Sequence, residues 1–196
     1  MVRLLLRLGP YALLAAIAAG LAATWDQLPA RYPVHWGVGG VDRWADLSPR
    51  SVGMPLLMGA IAVAWLGLLR RFTLANSAPA PDPARARKLL VAVTIGTQWL
   101  MAILFGLAAV PRQGPGLVVA GAGLGMLFLP VALIVTFAGK APPAAPPVPA
   151  PPDGWLFVQR KDGTGLRIDP RHPRFWQAVV VLAAGPLAII AVGMVG

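Results

Sequence analysis

Long apolar stretches alternate with short polar ones along this chain. A run of about 20 apolar residues is long enough to cross a bilayer as a helix. Five runs approach or exceed this length, and they predict spans at residues 4–25, 52–72, 89–110, 116–138 and 175–195. The pattern therefore predicts an all-α integral membrane protein with about five transmembrane helices.

The polar connectors divide the chain into four parts. Residues 1–72 form a membrane domain of two spans, with a polar loop at 26–50 between them. Residues 73–140 hold the third and fourth spans with their connectors. Residues 141–174 contain a Pro/Ala-rich linker and a short β-prone segment, and 175–196 form the last span. The linker composition is typical of a semi-rigid extended chain without a core of its own.

The first span carries small residues at helical spacing. Such a face is suited to close contact between helices in lipid. Its members are Ala15, Ala16, Ala19, Gly20 and Ala23. A cleaved signal peptide is the alternative for this segment, but the apolar run exceeds the roughly 7–15 residues typical of one.

A β-hairpin is predicted just before the last span. The short β-prone runs 156–160 and 166–169 flank the sequence Lys161-Asp-Gly-Thr-Gly165. An Asp–Gly turn between such runs is a strong hairpin signal. Because an isolated hairpin is only marginally stable, we expect this one to pack on the bilayer or on the helix bundle. Its apolar and basic residues favour docking on the membrane surface.

The composition supports a membrane class. Of the 196 residues, 57% are hydrophobic and 12% are charged, about half the charged fraction of a soluble domain. The chain has no Cys, which excludes disulfides and thiolate metal sites. The net charge of +10 does not indicate nucleic acid, because no basic stripe with interleaved aromatic residues is present.

The positive residues predict the orientation. The N-terminal flank and the second and fourth connectors hold two, five and six Lys or Arg, 13 in all. The first and third connectors hold three and one, 4 in all. Positive residues concentrate on the cytoplasmic side. We therefore predict a bacterial cytoplasmic membrane protein with its N-terminus and the β-hairpin in the cytoplasm, and with the 26–50 loop and the C-terminus outside.

The 26–50 loop holds the candidate functional residues. Pro29 and Pro33 restrict the backbone on either side of Tyr32, and the glycines that follow allow a sharp turn. We predict an ordered cap on the helix bundle, with His35 near Asp42. The candidate binding residues are Tyr32, Pro33, His35, Trp36, Asp42 and Trp44.

Aromatic residues cluster at both predicted membrane boundaries, a distribution typical of interfacial belts. The outer group is Trp25, Tyr32, Trp36 and Trp44, and the inner group is Trp155, Phe175 and Trp176.

Three polar residues lie within the third span, namely Thr94, Thr97 and Gln98. Polar groups at that depth need a partner or a wet cavity. Interhelical hydrogen bonding is favoured over a transport pathway, because no charged residue lies deep in any span. We therefore assign these residues a structural role.

The loop resembles the signature of a bacterial membrane domain of unknown function found in SdpI-type toxin-immunity proteins. The motif runs Leu28-Pro29, then Tyr32-Pro33-Val34-His35-Trp36, then Gly40 and Asp42-Arg43-Trp44. Pro55 matches a proline early in the second span of that domain, and the resemblance covers roughly residues 10–70. The β-prone segment is similar to a second small uncharacterised domain that often accompanies the first.

The resemblance implies a non-enzymatic role. It implies protection of the producing cell against its own secreted toxin, with a peptide toxin as the external partner. It also implies signalling, in which the membrane protein holds a transcriptional repressor at the membrane. This chain departs from the six-span immunity protein in having about five spans and an inserted hairpin.

Two other classes of function remain open. A metal-dependent factor or membrane enzyme could use His35 with Asp26, Asp42 or Asp46, although catalytic zinc usually takes three protein ligands. His172 is predicted on the opposite membrane face and cannot join them. No phosphate loop, HExxH or GxSxG motif is present, so we predict no catalytic residues, metal or cofactor. The third class is a structural subunit of a membrane complex.

Overall fold

The computed structural model describes residues 2–37, 40–77, 83–111, 154–159 and 166–195. Within these ranges four helices are each long and apolar enough to cross a membrane. They are α1 (Val2–Ala23), α2 (Pro49–Asn76), α3 (Pro83–Ala108) and α4 (Phe175–Val195). The mostly helical membrane fold is confirmed. The span predicted at 116–138 and most of the preceding and following connectors lie outside the described residues.

Helix α2 is longer at both ends than the predicted span. Its 28 residues correspond to about 42 Å, which exceeds the roughly 30 Å of hydrocarbon in a bilayer. Ser48 caps the helix: its Oγ accepts a hydrogen bond from the Ser51 backbone N–H, at 3.1 Å. The Ser51 Oγ accepts one from the Ser48 N–H, at 3.0 Å. The helix therefore begins at a polar cap, which hydrophobicity alone does not locate.

Helix α1 packs on α2 and α3 through large residues that fill glycine notches. Leu14 belongs to a buried cluster with Val63 and Ala102. A Cβ added at Gly59 of α2 would lie 3.3 Å from Leu14, and one at Gly106 of α3 would lie 2.5 Å from Ile17. The glycines therefore let the helices approach closely.

The predicted contact face of α1 is wrong within the described residues. Ala15, Ala16, Ala19 and Gly20 are exposed, and a Cβ at Gly20 would meet nothing within 4 Å. The small residues that matter for packing lie mainly on the partner helices. The sequence of one helix shows a small-residue face but not which neighbour will accept it.

Helix α4 packs on α2 in the antiparallel direction. The Trp65 Nε1–H donates a hydrogen bond to the Val181 carbonyl, at 2.8 Å, and the same ring fills a notch at Gly185. Seven residues further along α2, Phe72 packs on the cluster that contains Ala178. Helix α4 therefore begins beside the C-terminal end of α2.

The predicted interhelical hydrogen bond of Gln98 is confirmed. Its buried Nε2 donates to the Val63 carbonyl of α2, at 2.7 Å. Thr94 and Thr97 behave differently, because their hydroxyls donate within α3 to the carbonyls of Leu90 and Val93. For them the interhelical prediction is wrong, since a short hydroxyl side chain reaches the carbonyl four residues back in its own helix.

Two antiparallel hairpins complete the described structure. Strands β1 (Arg31–Gly37) and β2 (Gly40–Asp46) form the first, here named the His35 hairpin. Strands β3 (Phe157–Gln159) and β4 (Leu166–Ile168) form the second, the Phe157 hairpin. The second confirms the prediction. The first adds regular pairing to a segment that was predicted only as an ordered cap.

The Phe157 hairpin packs on protein. Leu156 and Phe157 are buried with Ala178 of α4. The Phe157 ring meets that of Phe72 edge-on, with centroids 6.0 Å apart. For Phe157 the predicted docking on the membrane surface is therefore wrong, and the helix bundle is the surface that covers it. A side chain surrounded by neighbouring helices has no apolar face left for lipid.

Candidate functional site

The His35 hairpin is an irregular two-stranded ribbon at one end of the helix bundle. Tyr32 pairs with Ala45 and Pro33 with Trp44, whereas His35 pairs with Arg43. The register shifts on both sides of His35, as at a β-bulge, which bends a strand and re-aims its side chains. The end of the bundle that carries this hairpin is called the His35 end below.

Tyr32 anchors the base of the hairpin in the protein core. Its side chain is fully buried in a cluster with Leu21, Val52 and Ala109. Its hydroxyl donates a hydrogen bond to the Ala109 carbonyl at the end of α3. Burial raises the pKa of Tyr32 to about 12. Tyr32 therefore does not belong to an interfacial aromatic belt, and this part of the belt prediction is wrong.

The strand ends are also joined to helix α2. The Leu47 N–H donates to the Ala30 carbonyl, at 2.8 Å. The Ser51 hydroxyl donates to the Asp46 carbonyl, at 3.0 Å. Pro33 is buried beside Tyr32. The base of the hairpin is therefore held by α2, by α3 and by its own backbone.

The distal part of the hairpin presents a paired histidine and carboxylate. The His35 Nδ1 lies 2.5 Å from the Asp42 Oδ1, which confirms that the two residues are neighbours. Their side chains are 61% and 53% exposed. With Asp42 accepting from Nδ1–H, the Nε2 of His35 is left as the atom that can bond to a ligand.

A charged and an aromatic residue follow Asp42 along β2. Arg43 is exposed in the register position opposite His35, and Trp44 is 37% exposed on the same strand. Trp36 lies in β1, and its side chain is outside the described part. Of the predicted binding residues, His35, Asp42 and Trp44 are thus exposed, whereas Tyr32 and Pro33 support them from below.

The described residues contain no group of three or more His, Cys, Asp or Glu side chains that could hold a metal ion. His172 lies just before α4, where its Nδ1 accepts from the Arg174 N–H, at 3.0 Å. This position is at the end of the bundle opposite His35. The two histidines therefore serve different parts of the structure.

Two supporting groups were missed from the sequence. The Ser48–Ser51 cap could have been found, because a serine before a proline at a helix start is a known N-terminal signal. The Ala109 carbonyl carries no signal at all, because a backbone acceptor at a helix end has the same chemistry in every sequence.

Comparison with known proteins finds one family profile that is similar to part of the chain. Residues 12–59 match the profile of a family described as a domain of unknown function (DUF1648). The matched segment comprises most of α1, the His35 hairpin and the beginning of α2. No curated protein and no solved structure matches the chain.

Proposed function

We propose that this chain is a non-enzymatic bacterial membrane protein that recognises an external ligand through the His35 hairpin. The observation that carries the proposal is the exposed His35–Asp42 pair, held on a base buried in the helix bundle. The segment that matches the family profile contains both strands of the hairpin and Ser51, whereas Ala109 lies outside it. The resemblance to SdpI-type proteins supports toxin immunity or signalling as the role.

The anchoring favours recognition over a loose connector. A site on a rigid element loses little conformational entropy when it binds. Tyr32 and Ser51 hold the base at two separate helices, and this limits the movement available to the exposed pair. A connector that only joined two spans would not need the hydrogen bonds made by Tyr32 and Ser51.

The exposed groups suit a peptide. His35 and Asp42 supply hydrogen bonds, Arg43 supplies a positive charge, and Trp44 supplies partly exposed apolar area. Aromatic residues and arginine are the side chains most enriched where interfaces contribute most of their binding energy. A secreted peptide toxin is therefore the ligand class we propose on this side, with a cytoplasmic regulator as the partner on the other.

We propose the orientation that the charge bias predicts, with the His35 end outside and the N-terminus in the cytoplasm. Helix α3 ends beside Tyr32, whereas α4 begins at the opposite end, beside Phe72. These two positions support a further crossing between α3 and α4, as the span predicted at 116–138 would supply. The C-terminus would then lie outside.

A protection assay in the native host tests the function. A strain that lacks this gene is challenged with cell-free culture supernatant of the parent strain. The deletion strain should be inhibited, and the wild-type gene should restore growth. His35→Ala and Asp42→Ala should fail to restore it at equal membrane levels.

Asp26→Ala is the matched control, because Asp26 is an exposed carboxylate at the same end of the bundle but outside the hairpin. It should restore growth fully. Full protection by both hairpin variants would exclude the His35 hairpin as the site. A deletion strain that grows normally in the supernatant would remove the immunity role.

A further inference from the structure

Arg70 marks the membrane boundary at the end of α2 away from His35. The 19 residues between Arg50 and Arg70 contain no charged side chain. Twenty residues of helix rise about 30 Å, which equals the thickness of the hydrocarbon core. The guanidinium of Arg70 therefore lies at the depth of the lipid headgroups when Arg50 lies at the opposite surface.

The Arg70 guanidinium has an unsatisfied hydrogen-bond donor. Its Nη1 is buried and has no hydrogen-bond partner. Arg7 and Arg71 lie close enough for their positive charges to repel that of Arg70, whereas the phenol of Tyr11 acts in the opposite, favourable sense. Among the described residues the one carboxylate within bonding distance of a basic side chain is that of Asp42, beside His35, so no described carboxylate offsets these arginines.

Such an arrangement favours a bound anion beside Arg70. An unpaired donor on a charged, partly buried group is costly, and neighbouring like charges add repulsion. Arg7 and Tyr11 lie one helical turn apart on α1, so both side chains project from the same face. Both residues are exposed, and both lie near enough to Arg70 to act on its charge.

We propose that Arg7, Tyr11 and Arg70 form a binding site for the phosphate of an anionic lipid headgroup between α1 and α2. A guanidinium presents two parallel N–H groups to phosphate oxygens, and the Tyr11 hydroxyl donates a third bond. The depth of the site selects a lipid as the source of the phosphate. The site lies away from the His35 hairpin and does not depend on the function proposed above.

Lipid-dependent thermal stability tests the site. The full chain is purified in a zwitterionic detergent without lipid, and its Tm is followed during titration with phosphatidylglycerol or phosphatidylcholine. Phosphatidylglycerol should raise the Tm, and phosphatidylcholine should not. Arg70→Gln should weaken the apparent affinity for phosphatidylglycerol about tenfold, because bonds to a charged group are lost.

Arg87→Gln is the control, because Arg87 is an exposed arginine at the start of α3 and the charge change is the same. It should keep the wild-type response. Without lipid, Arg70→Gln should be at least as stable as the wild type, since repulsion from Arg7 and Arg71 is removed. If Arg70 had a purely structural role, Arg70→Gln would instead lower the Tm both with and without lipid.

Other outcomes would overturn the proposal. If Arg70→Gln and Arg87→Gln weakened the apparent affinity for phosphatidylglycerol equally, the lipid would be held by diffuse electrostatic attraction and not by a site. A rise in Tm with inorganic phosphate alone, at the same concentration, would mean a free-phosphate site. Should Arg70→Gln not fold, Arg7→Gln and Tyr11→Phe provide the same comparison from exposed positions, and an unchanged lipid response in both would exclude the site.

Discussion

The Tyr32 hydroxyl donates a hydrogen bond to the Ala109 carbonyl, and it thereby joins two segments that lie 77 residues apart in the sequence. The carbonyls in the last turn of a helix have no partner within the helix. Tyr32 supplies one at the end of α3, and its ring fills the core between Leu21 and Val52. A single side chain thus orients the His35 hairpin and caps a helix.

Replacing Tyr32 by Phe should lower the free energy of unfolding by about 1–3 kcal/mol, because the buried Ala109 carbonyl loses its donor while the ring still packs. Thermal unfolding in detergent measures the effect. Tyr11→Phe is the control, since that side chain is 39% exposed and should change the Tm little in the absence of lipid. Equal Tm values for the wild type and Tyr32→Phe would show that the bond adds nothing to stability.

The high pKa of Tyr32 predicts loss of stability in strong alkali. Burial raises this pKa from 10.0 to about 12, so the folded state favours the protonated phenol. The resulting stabilisation is fully present below pH 10 and is lost as the pH rises through 12. Ultraviolet absorbance of tyrosinate in the Tyr11→Phe variant follows Tyr32 alone, because the chain has two Tyr. A midpoint near 10 would mean that Tyr32 is exposed to water.

The glycine notch between α1 and α3 should tolerate no side chain. A Cβ at Gly9 would lie 2.1 Å from the Trp99 ring, whose Nε1–H donates to the Leu6 carbonyl, at 3.1 Å. Gly9→Ala should therefore destabilise the protein by about 1–3 kcal/mol through overpacking. Gly20→Ala on the same helix has open space and should lie within about 0.5 kcal/mol of the wild type. A similar Tm for both variants would disprove the α1–α3 contact.

The Phe157 hairpin should be protected from protease by protein packing even without lipid. Phe157→Ala removes its contact with Phe72 and should cost about 3 kcal/mol of local stability. Limited trypsin digestion in detergent should then cut faster between residues 154 and 174. Trp176→Ala is the control, because that ring is 72% exposed. Rapid cleavage of the wild type under the same conditions would show that the hairpin does not rest on the bundle.

The proposed orientation predicts where reporter fusions are active. A reporter that folds only in the cytoplasm should be active after Ser77, at the end of α2, and inactive after Gly196. An extracytoplasmic phosphatase reporter should give the reverse. Cytoplasmic activity after both residues would place an even number of spans between them and contradict the five-span topology.

Much of the membrane scaffold could be predicted from the sequence, because the cost of placing polar groups in hydrocarbon acts on each segment separately. The last span was predicted at the bounds observed for α4. The Asp–Gly turn likewise predicted the Phe157 hairpin from local geometry. Gln98 was assigned to an interhelical bond because an amide at that depth has few alternatives.

Contacts between distant segments could not be predicted in this way. The sequence shows that Tyr32 is aromatic and near a membrane boundary, and such a residue is compatible with a lipid belt as well as with a core. Its burial depends on where Leu21, Val52 and Ala109 come together. The hydroxyls of Thr94 and Thr97 likewise bond to the nearest carbonyl. Phe157 packs on the nearest apolar surface, which is the helix bundle.

The sequence by itself therefore determined the class of protein, four of its helices, one hairpin and the proximity of His35 to Asp42. Each of these follows from local hydrophobicity, turn chemistry or short sequence separation. The tertiary structure alone decided that Tyr32 anchors the His35 hairpin to α3 and that Arg70 stands among like charges. Both depend on how the helices pack against one another, because packing determines which side chains from distant segments come into contact.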